Sequence, residues 1–244
     1  MTPTAAPELM LAMDTTGDVC SVAVFRAGRL HAELAFRHEM HLSERLISHV
    51  DFLLGQIGAT LAEVGVFAVG IGPGSFTGTR IGVMTVKTFA FLRDRPVVGI
   101  NGLEAMAAEY CGTPDLLVAP VLPCRSGVVY AAAFAVSGPA PEVLLEPDAY
   151  TFAQLGEAIQ CQAPRAVLFC GPAAVKYEME LRACTGDFDC RAEIGVVEFP
   201  RASAVGRLAL GRLRSGAALP SALELTPLYI SPPPITMPKQ PIPT

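Results

Sequence analysis

Charged residues are scarce in this sequence, and basic residues are the scarcer kind. Asp, Glu, Lys and Arg make up 17% of the chain, and 18 basic residues stand against 23 acidic ones, for a formal net charge of -5. Proteins that hold nucleic acid tightly by themselves usually carry a concentrated basic surface. The composition therefore argues against direct, tight nucleic-acid binding by this chain alone.

Long apolar runs are also missing. No run approaches the roughly 20 residues needed to cross a bilayer, and residues 1–8 contain no basic residue ahead of the first apolar run. We therefore expect a cytoplasmic protein that does not associate with membranes. Of the 244 residues, 51% are hydrophobic, so the chain can form one large domain or two smaller ones, each with its own core.

Recognisable metal and catalytic motifs are absent as well. The seven cysteines are odd in number and form no C-x-x-C pair, so we expect reduced core thiols rather than disulfides or zinc ligands. His38 and His41 lie three residues apart, which is not the spacing of the helical zinc motif H-E-x-x-H. Because no nucleophile, base and orienting group stand out together, we predict no metal site and no catalytic residue.

The most distinctive stretch is a glycine-dense loop between two apolar segments. Residues 66–69 are short and β-branched enough for a buried strand, and residues 79–92 have the pattern of a helix. The hydroxyls of Thr77 and Thr79 are expected to cap that helix. The stretch between them reads Gly70-Ile71-Gly72-Pro73-Gly74-Ser75-Phe76-Thr77-Gly78.

Two roles remain open for this loop. In the first, free N–H groups at the start of the helix receive a phosphate. However, Lys87 lies inside the predicted helix, so the Walker pattern is absent, and the pattern G-x-G-x-x-G fails too. In the second, the loop is a tight structural turn that sets the helix against the sheet. The candidate phosphate-binding residues of the loop are Gly72, Gly74, Ser75, Thr77 and Gly78.

The elements of the first half follow the order β-β-β-α-β-α-β. We predict strands over residues 9–14, 21–25 and 30–36 with a hairpin turn at 26–29, a helix over 41–56 that stops at Gly58, a strand over 66–69, a helix over 79–92 and a strand over 97–100. Apolar residues on almost every side of segment 81–91 indicate that this helix buries two faces. The second of those faces is either interior or a contact surface for another protein.

The second half is predicted to be a degenerate copy of the first. It contains a helix over 101–110, strands over 116–122 and 128–136, a polar, proline-bearing stretch over 137–147, a helix over 152–160, a strand over 166–170, a helical segment over 173–184 and a last helix over 202–214. We therefore predict one lobe over residues 1–100 and another over 101–231, whose last helix packs back on the first lobe. The tail over 232–244 is too rich in proline to fold.

The glycine loop resembles the signature of the TsaB family, a subunit of the bacterial tRNA threonylcarbamoyladenosine machinery. The matching run is Gly72-Pro73-Gly74-Ser75-Phe76-Thr77-Gly78, followed by Arg80-Ile81-Gly82, and further similarity extends over about residues 9–230. The resemblance implies an α/β fold with two ribonuclease-H-like lobes of the actin/sugar-kinase-like superfamily, the second lobe being degenerate. Asp14-Thr15-Thr16 is similar to the first phosphate motif of that superfamily.

The resemblance also implies a function. A TsaB-like chain is a non-catalytic scaffold of the complex that adds a threonylcarbamoyl group to adenosine 37 of tRNAs reading codons that begin with A. Its partners would be a TsaD-type catalytic subunit and a TsaE-type ATPase, and the chain alone would form a homodimer. It would contact tRNA only through the complex. It would have no cofactor of its own, although ATP or ADP is possible in the assembled complex. The residues expected to bind the partner are Leu42, Leu46, Val50, Leu53, Ile81, Met84 and Phe89.

The sequence departs from the family at two positions. Pro123 and Val128 stand where TsaB usually has acidic residues, and an acid there is what a kinase of the superfamily would need to hold a metal. The H-x-x-x-H metal motif of the paralogue TsaD is also not found. The alternative function is a nucleotide-binding ATPase or small-molecule kinase. It would bind phosphates through Asp14, Thr15, Thr16 and the glycine loop.

Overall fold

The first half of the chain folds as a five-stranded mixed sheet with helices on both faces. The computed structural model describes residues 7–38, 41–186, 191–216 and 219–231. Its first seven strands and α-helices are β1 (Leu9–Asp14), β2 (Val19–Arg26), β3 (Arg29–Arg37), α1 (Leu42–Gln56), β4 (Val66–Gly70), α2 (Phe76–Arg93) and β5 (Val97–Ile100). The strands lie in the order β3-β2-β1-β4-β5, antiparallel from β3 to β1 and parallel from β1 to β5.

Local turn chemistry explains the start of this sheet. Ala27 and Gly28 both have positive φ, of 48° and 75°, which is the backbone of the type I′ turn that matches the twist of an antiparallel hairpin. The turn places Arg26 opposite Arg29 and so fixes the β2–β3 register. Helix α1 ends just before Gly58, at φ +64°, as predicted for a C-terminal glycine.

Each face of the first sheet has its own core. One is formed by α1 and α2, whose apolar side chains pack on alternate residues of β1, such as Leu11 and Met13. The other is formed by a late helix, α7 (Ala202–Arg214), which packs on Met10, Ala12 and Phe25. The last helix therefore closes the sheet of the first lobe, from more than 100 residues away.

The second half repeats the topology of the first. Its elements are α3 (Gly102–Ala107), β6 (Leu116–Arg125), β7 (Val128–Ala135), β8 (Glu142–Thr151), α4 (Phe152–Gln160), β9 (Ala166–Cys170), α5 (Pro172–Lys176), α6 (Glu178–Thr185) and β10 (Arg191–Ile194). The strand order is β8-β7-β6-β9-β10, which reproduces the first sheet strand for strand. The predicted α/β fold with two ribonuclease-H-like lobes is thereby confirmed.

Several sequence-based boundaries need correction. The stretch 137–147, predicted as irregular, contributes to β8, an edge strand in which Pro147 is tolerated because one side needs no ladder hydrogen bond. The segment 173–184 is two helices that meet at Tyr177, and β10 was not predicted. Helix α2 begins at Phe76 rather than residue 79, capped by Ser75, whose hydroxyl accepts a hydrogen bond from the Gly78 N–H.

A final segment, residues 219–231, runs back along α2, and we call it the C-terminal strap. Leu225 is buried in the core beneath α2. The Lys87 ammonium on α2 donates to the carbonyl oxygens of Leu223 and Leu225 at 2.9 and 2.8 Å, and the Leu228 N–H donates to the Ile71 carbonyl at 2.7 Å. The predicted proline-rich tail, 232–244, lies outside the described residues. Among the described helices, none has the length and apolar character needed to span a bilayer.

Candidate functional site

Asp14 ends the central strand of the first lobe and is completely buried. Its Oδ1 accepts hydrogen bonds from the Thr16 N–H at 2.9 Å and the Thr16 hydroxyl at 2.8 Å, while Oδ2 has no partner among the described residues. Burial raises the pKa of this carboxyl to about 6, although the two hydrogen bonds from Thr16 oppose the shift. A costly buried carboxylate thus lies at the carboxyl end of the strand.

The glycine loop packs tightly against the turn that follows Asp14. The Thr15 hydroxyl donates to the Gly78 carbonyl at 2.8 Å, and the Ser75 N–H donates to the Thr16 carbonyl at 2.6 Å. A Cβ atom at Gly78 would overlap the Thr15 carbonyl oxygen, and one at Gly82 would overlap the Thr15 hydroxyl. The loop therefore acts as a packing surface for this turn, and its role as a phosphate site stays a prediction.

A cleft of about 420 Å³ lies between the two lobes. The first lobe contributes the turn after β1, Arg37 and the loop residues Gly74 and Ser75, and the second lobe contributes the end of β6 and helix α5. We call this the interlobe cleft. Of the eight predicted phosphate-loop residues, Thr16, Gly74 and Ser75 line it. Asp14, Thr15, Gly72 and Gly78 are buried, and Thr77 is exposed elsewhere.

The charges of the interlobe cleft do not favour a phosphate chain. Asp18 and Glu198 line it, and Arg37 is the cation among its lining residues, with its guanidinium 3.8 Å from the Asp18 carboxylate. The hydroxyls of Thr15 and Thr16 already donate to groups of the protein. Among the residues that the structure describes, no group of three or more His, Cys, Asp or Glu side chains is arranged to hold a metal ion.

Five large apolar side chains of α1 and α2 are exposed. Met84, Phe91 and Leu92 on α2 are 57%, 63% and 71% exposed, and Ile47 and Phe52 on α1 are about half exposed. Met84 and Phe91 lie two turns apart and so share one side of the helix, and the two helices contact each other. We call these five side chains the outer helical face.

The predicted partner-binding residues need correction against this face. Leu42, Leu46, Val50 and Leu53 are 0–4% exposed and form the core between α1 and the sheet, so their side chains are not available to another protein. Ile81 and Phe89 are half-buried and pack against the same core. Of the seven predicted residues, Met84 is the one whose side chain is largely exposed.

Sequence reasoning missed the other members of the outer helical face. Ile47 and Phe52 lie off the leucine stripe of α1, and Phe91 and Leu92 lie in the last turn of α2. The sequence did contain a signal for them. Large apolar residues that lie outside the apolar stripe of an amphipathic helix point away from the core and stay exposed. A partner surface is therefore better sought in such residues than in the stripe itself.

The comparisons with known proteins agree with this architecture. The sequence model of one family, described as TsaD: tRNA N6-adenosine threonylcarbamoyltransferase, matches residues 35–178, which is more than half of the chain. The chain belongs to the TsaD family. Its relatives include TsaB proteins, as the glycine-loop signature predicts, and also proteins named tRNA N6-adenosine threonylcarbamoyltransferase.

Two curated relatives and one solved structure carry that similarity. TsaB of Haemophilus influenzae is 41% identical over 100 residues, which cover 40% of this chain and 41% of that protein. TsaB of Escherichia coli K12 is 35% identical over 98 residues, which cover 40% of this chain and 42% of that protein. The structure of YeaZ from Pseudomonas aeruginosa superposes with a TM-score of 0.77 at 25% identity, over 91% of this chain and 99% of that one. The chain thus matches less than half the length of these curated relatives.

The two positions at which the resemblance predicts a departure from TsaB lie on the β6–β7 hairpin. Pro123 is exposed and lines the interlobe cleft opposite the glycine loop, and Val128 begins β7, where it pairs with Arg125. Gly127, at φ +70°, makes the turn between the strands. The hairpin of this TsaD-family chain therefore presents proline, not a carboxylate, to the cleft.

Proposed function

We propose that this chain is a non-catalytic subunit of the machinery that adds a threonylcarbamoyl group to adenosine 37 of tRNAs reading codons that begin with A. In this proposal it supports a TsaD-type catalytic subunit by binding it. The observation that carries the proposal is the outer helical face, of which Met84 and Phe91 are exposed on one side of α2. The names of the TsaB relatives supply the pathway.

Physical chemistry favours an interface on this surface. Clustered exposed apolar side chains are unusual on a monomer and mark surfaces that a partner covers. Met84 and Phe91 project from one side of an α-helix, which suits packing against the helices of another protein. We further propose that the isolated chain self-associates through the same face and that a TsaE-type ATPase joins the complex. Self-association and catalytic-subunit binding would then compete.

The interlobe cleft supports the non-catalytic part of the proposal. The Thr16 hydroxyl, which lines the cleft, already donates to Asp14, and the hairpin presents Pro123 at a position where the resemblance predicts that a kinase would need an acid to hold a metal. A kinase needs donors and a metal-holding carboxylate that face the phosphates. This arrangement favours support of a partner over phosphoryl transfer.

Replacing Met84 with aspartate is expected to weaken binding to the TsaD-type subunit by at least tenfold. Burial of a methionine side chain contributes about 1.5–3 kcal/mol, and an aspartate in its place must lose its hydration without an opposite charge. The fold should stay intact, because Met84 is 57% exposed in the free chain. Light scattering on a gel-filtration column, with each chain alone and mixed, measures the complex, and calorimetry gives the affinity.

Met179→Asp provides the matched control. Met179 lies on α6 of the second lobe and is 84% exposed, so the same chemical change falls on a different surface. We expect this variant to bind like the unmodified chain. Equal affinity of Met84→Asp and the unmodified chain, with both folded, would show that the outer helical face is not the interface.

The kinase alternative has its own test. It requires submillimolar binding of Mg-ATP to the free chain and loss of that binding in Asp14→Ala. Our proposal expects no such binding by the free chain, and it expects threonylcarbamoylation of tRNA by the assembled system to fall when this chain is left out. Titration calorimetry with Mg-ATP separates the two functions directly.

A further inference from the structure

A second cavity, of about 340 Å³, adjoins the interlobe cleft. It shares Gly74, Ser75 and Pro123 with the cleft, and Tyr130 and the C-terminal strap line it in addition. Three aromatic side chains dominate its wall: Phe76 from the start of α2, Tyr130 from β7 and Tyr229 from the C-terminal strap. We call it the aromatic pocket.

Arg80 holds two of these aromatic rings in place. Its guanidinium carbon lies 3.8 Å from the centroid of the Phe76 ring, and its Nε donates to the Tyr229 hydroxyl at 2.9 Å. The centroids of the Phe76 and Tyr229 rings are 4.9 Å apart. Tyr229 is nevertheless 41% exposed, so a ligand can reach its ring, while the Arg80 guanidinium covers one face of the Phe76 ring.

The charge around the aromatic pocket differs from that of the rest of the molecule. None of the described residues that line it carries a carboxylate, whereas Asp18 and Glu198 line the interlobe cleft. Arg80 contacts two lining residues, and Arg125 follows the lining residue Cys124. In a chain of net charge -5, this surface combines aromatic rings with two arginines next to its lining residues. Such a surface suits a ligand that consists of a planar ring with a negatively charged group attached close to it.

We propose that the aromatic pocket binds an unstacked base of single-stranded RNA, with Arg80 and Arg125 near its phosphates. Aromatic rings and arginine planes are the surfaces on which proteins stack unpaired bases, and such stacking is tolerant of sequence. This inference rests on the proposed function, because the tRNA loop around adenosine 37 presents unpaired bases to the assembly. One such contact is weak by itself, which agrees with the scarcity of basic residues.

Fluorescence of 2-aminopurine tests the proposal on the full chain. The sequence contains no tryptophan, so the probe can be excited with little protein background. A seven-nucleotide single-stranded RNA with a central 2-aminopurine is titrated at low salt, alongside 2-aminopurine riboside monophosphate. We expect quenching of the RNA probe, because the base stacks on the aromatic side chains, and at least tenfold tighter binding of the RNA than of the monophosphate.

Variants of the pocket should weaken RNA binding selectively. Loss of a stacking partner corresponds to roughly 5- to 150-fold in affinity, so we expect at least a tenfold loss in Phe76→Leu and in Tyr229→Leu. The second of these concerns a partly exposed ring and keeps the test valid if the first fails to fold. Tyr150→Leu, on β8 and outside both cavities, is the control and should bind like the unmodified chain.

Two variants that remove the same charge at different places test the role of Arg80 in RNA binding. Arg80→Gln should weaken RNA binding and reduce its salt dependence, because a cation near the phosphates is removed. Arg93→Gln removes the same charge from the exposed end of α2 and should do neither. Equal effects of the two variants would assign the binding to net charge and overturn the pocket.

The remaining outcomes are also decisive. Absence of quenching, or equal quenching by the unmodified chain and Tyr229→Leu, overturns the proposal. Equal affinity for the monophosphate and the RNA assigns the pocket to a free nucleotide and overturns the RNA inference. Met84→Asp separates this proposal from the proposed function, since it should lose the catalytic partner and keep RNA binding.

Discussion

Replacing Asp14 with asparagine is expected to stabilise the fold at neutral pH by about 1–3 kcal/mol and to change it little at pH 4. The buried carboxyl has a pKa of about 6 in the folded chain, against an ordinary value of 3.8. The folded state therefore holds the proton more tightly than the unfolded state. Stability from this group is fully present below about pH 4 and is lost as the pH rises through about 6.

The surroundings of Asp14 determine how large the stabilisation by Asp14→Asn is expected to be. Asparagine keeps an oxygen to accept the two hydrogen bonds from Thr16, and it removes the charge that burial penalises. Its amide nitrogen takes the place of Oδ2, which has no partner among the described residues, so part of the gain is lost. Denaturant unfolding between pH 4 and pH 8 measures the difference between the two chains.

Asp18→Asn provides the control for this titration. The Asp18 side chain is 91% exposed and its contact with Arg37 is 3.8 Å long, so its loss should change stability by less than about 0.5 kcal/mol. A stability difference between Asp14→Asn and the unmodified chain that does not vary with pH would contradict the buried-carboxylate account. If the Asp14 carboxylate destabilises the fold at neutral pH, its presence in the unmodified chain indicates a requirement other than stability.

The sequence predicts well those elements whose causes are local. Helix α4 begins after Thr151, whose N–H and hydroxyl both donate to the side-chain oxygen of Gln154 in a capping box. The observed bounds of α4 are the predicted ones. Strand β9 and helix α7 also match, because their apolar pattern is unbroken. Strand β8 was missed because its identity comes from pairing with β7. No local pattern in a proline-bearing edge strand carries that information.

The candidate surfaces depend on contacts that are distant in sequence. The apolar pattern of α2 indicated that this helix buries two faces. Val83 and Met84 are both apolar, however, and it is the position of the sheet that buries Val83 and leaves Met84 exposed. Arg80 and Tyr229 meet across 149 residues, so no motif search could join them. The glycine loop was recognisable, yet its packing against Thr15 follows from the tertiary structure.

Replacing Gly82 with alanine is expected to destabilise the fold by about 2–4 kcal/mol, in contrast to the usual gain of up to about 1 kcal/mol for this change in a helix. The new Cβ atom would overlap the Thr15 hydroxyl, which is fully buried and donates to the Gly78 carbonyl. Either that hydrogen bond breaks or α2 moves away from the strand. Denaturant unfolding measures the loss.

A double-mutant cycle identifies the contact responsible. Thr15→Ala should cost about 1–2 kcal/mol, because it removes the buried hydrogen bond that the Thr15 hydroxyl donates to the Gly78 carbonyl, but it also removes the oxygen that the new Cβ atom of Gly82→Ala would meet. The double variant should therefore be at least 1 kcal/mol more stable than the sum of the single effects predicts. Gly211→Ala in α7 is the control: no atom lies within 4 Å of its added Cβ, so it should stabilise the chain. Additive effects at Thr15 and Gly82 would show that the turn after Asp14 does not hold α2, and with it the outer helical face, in position.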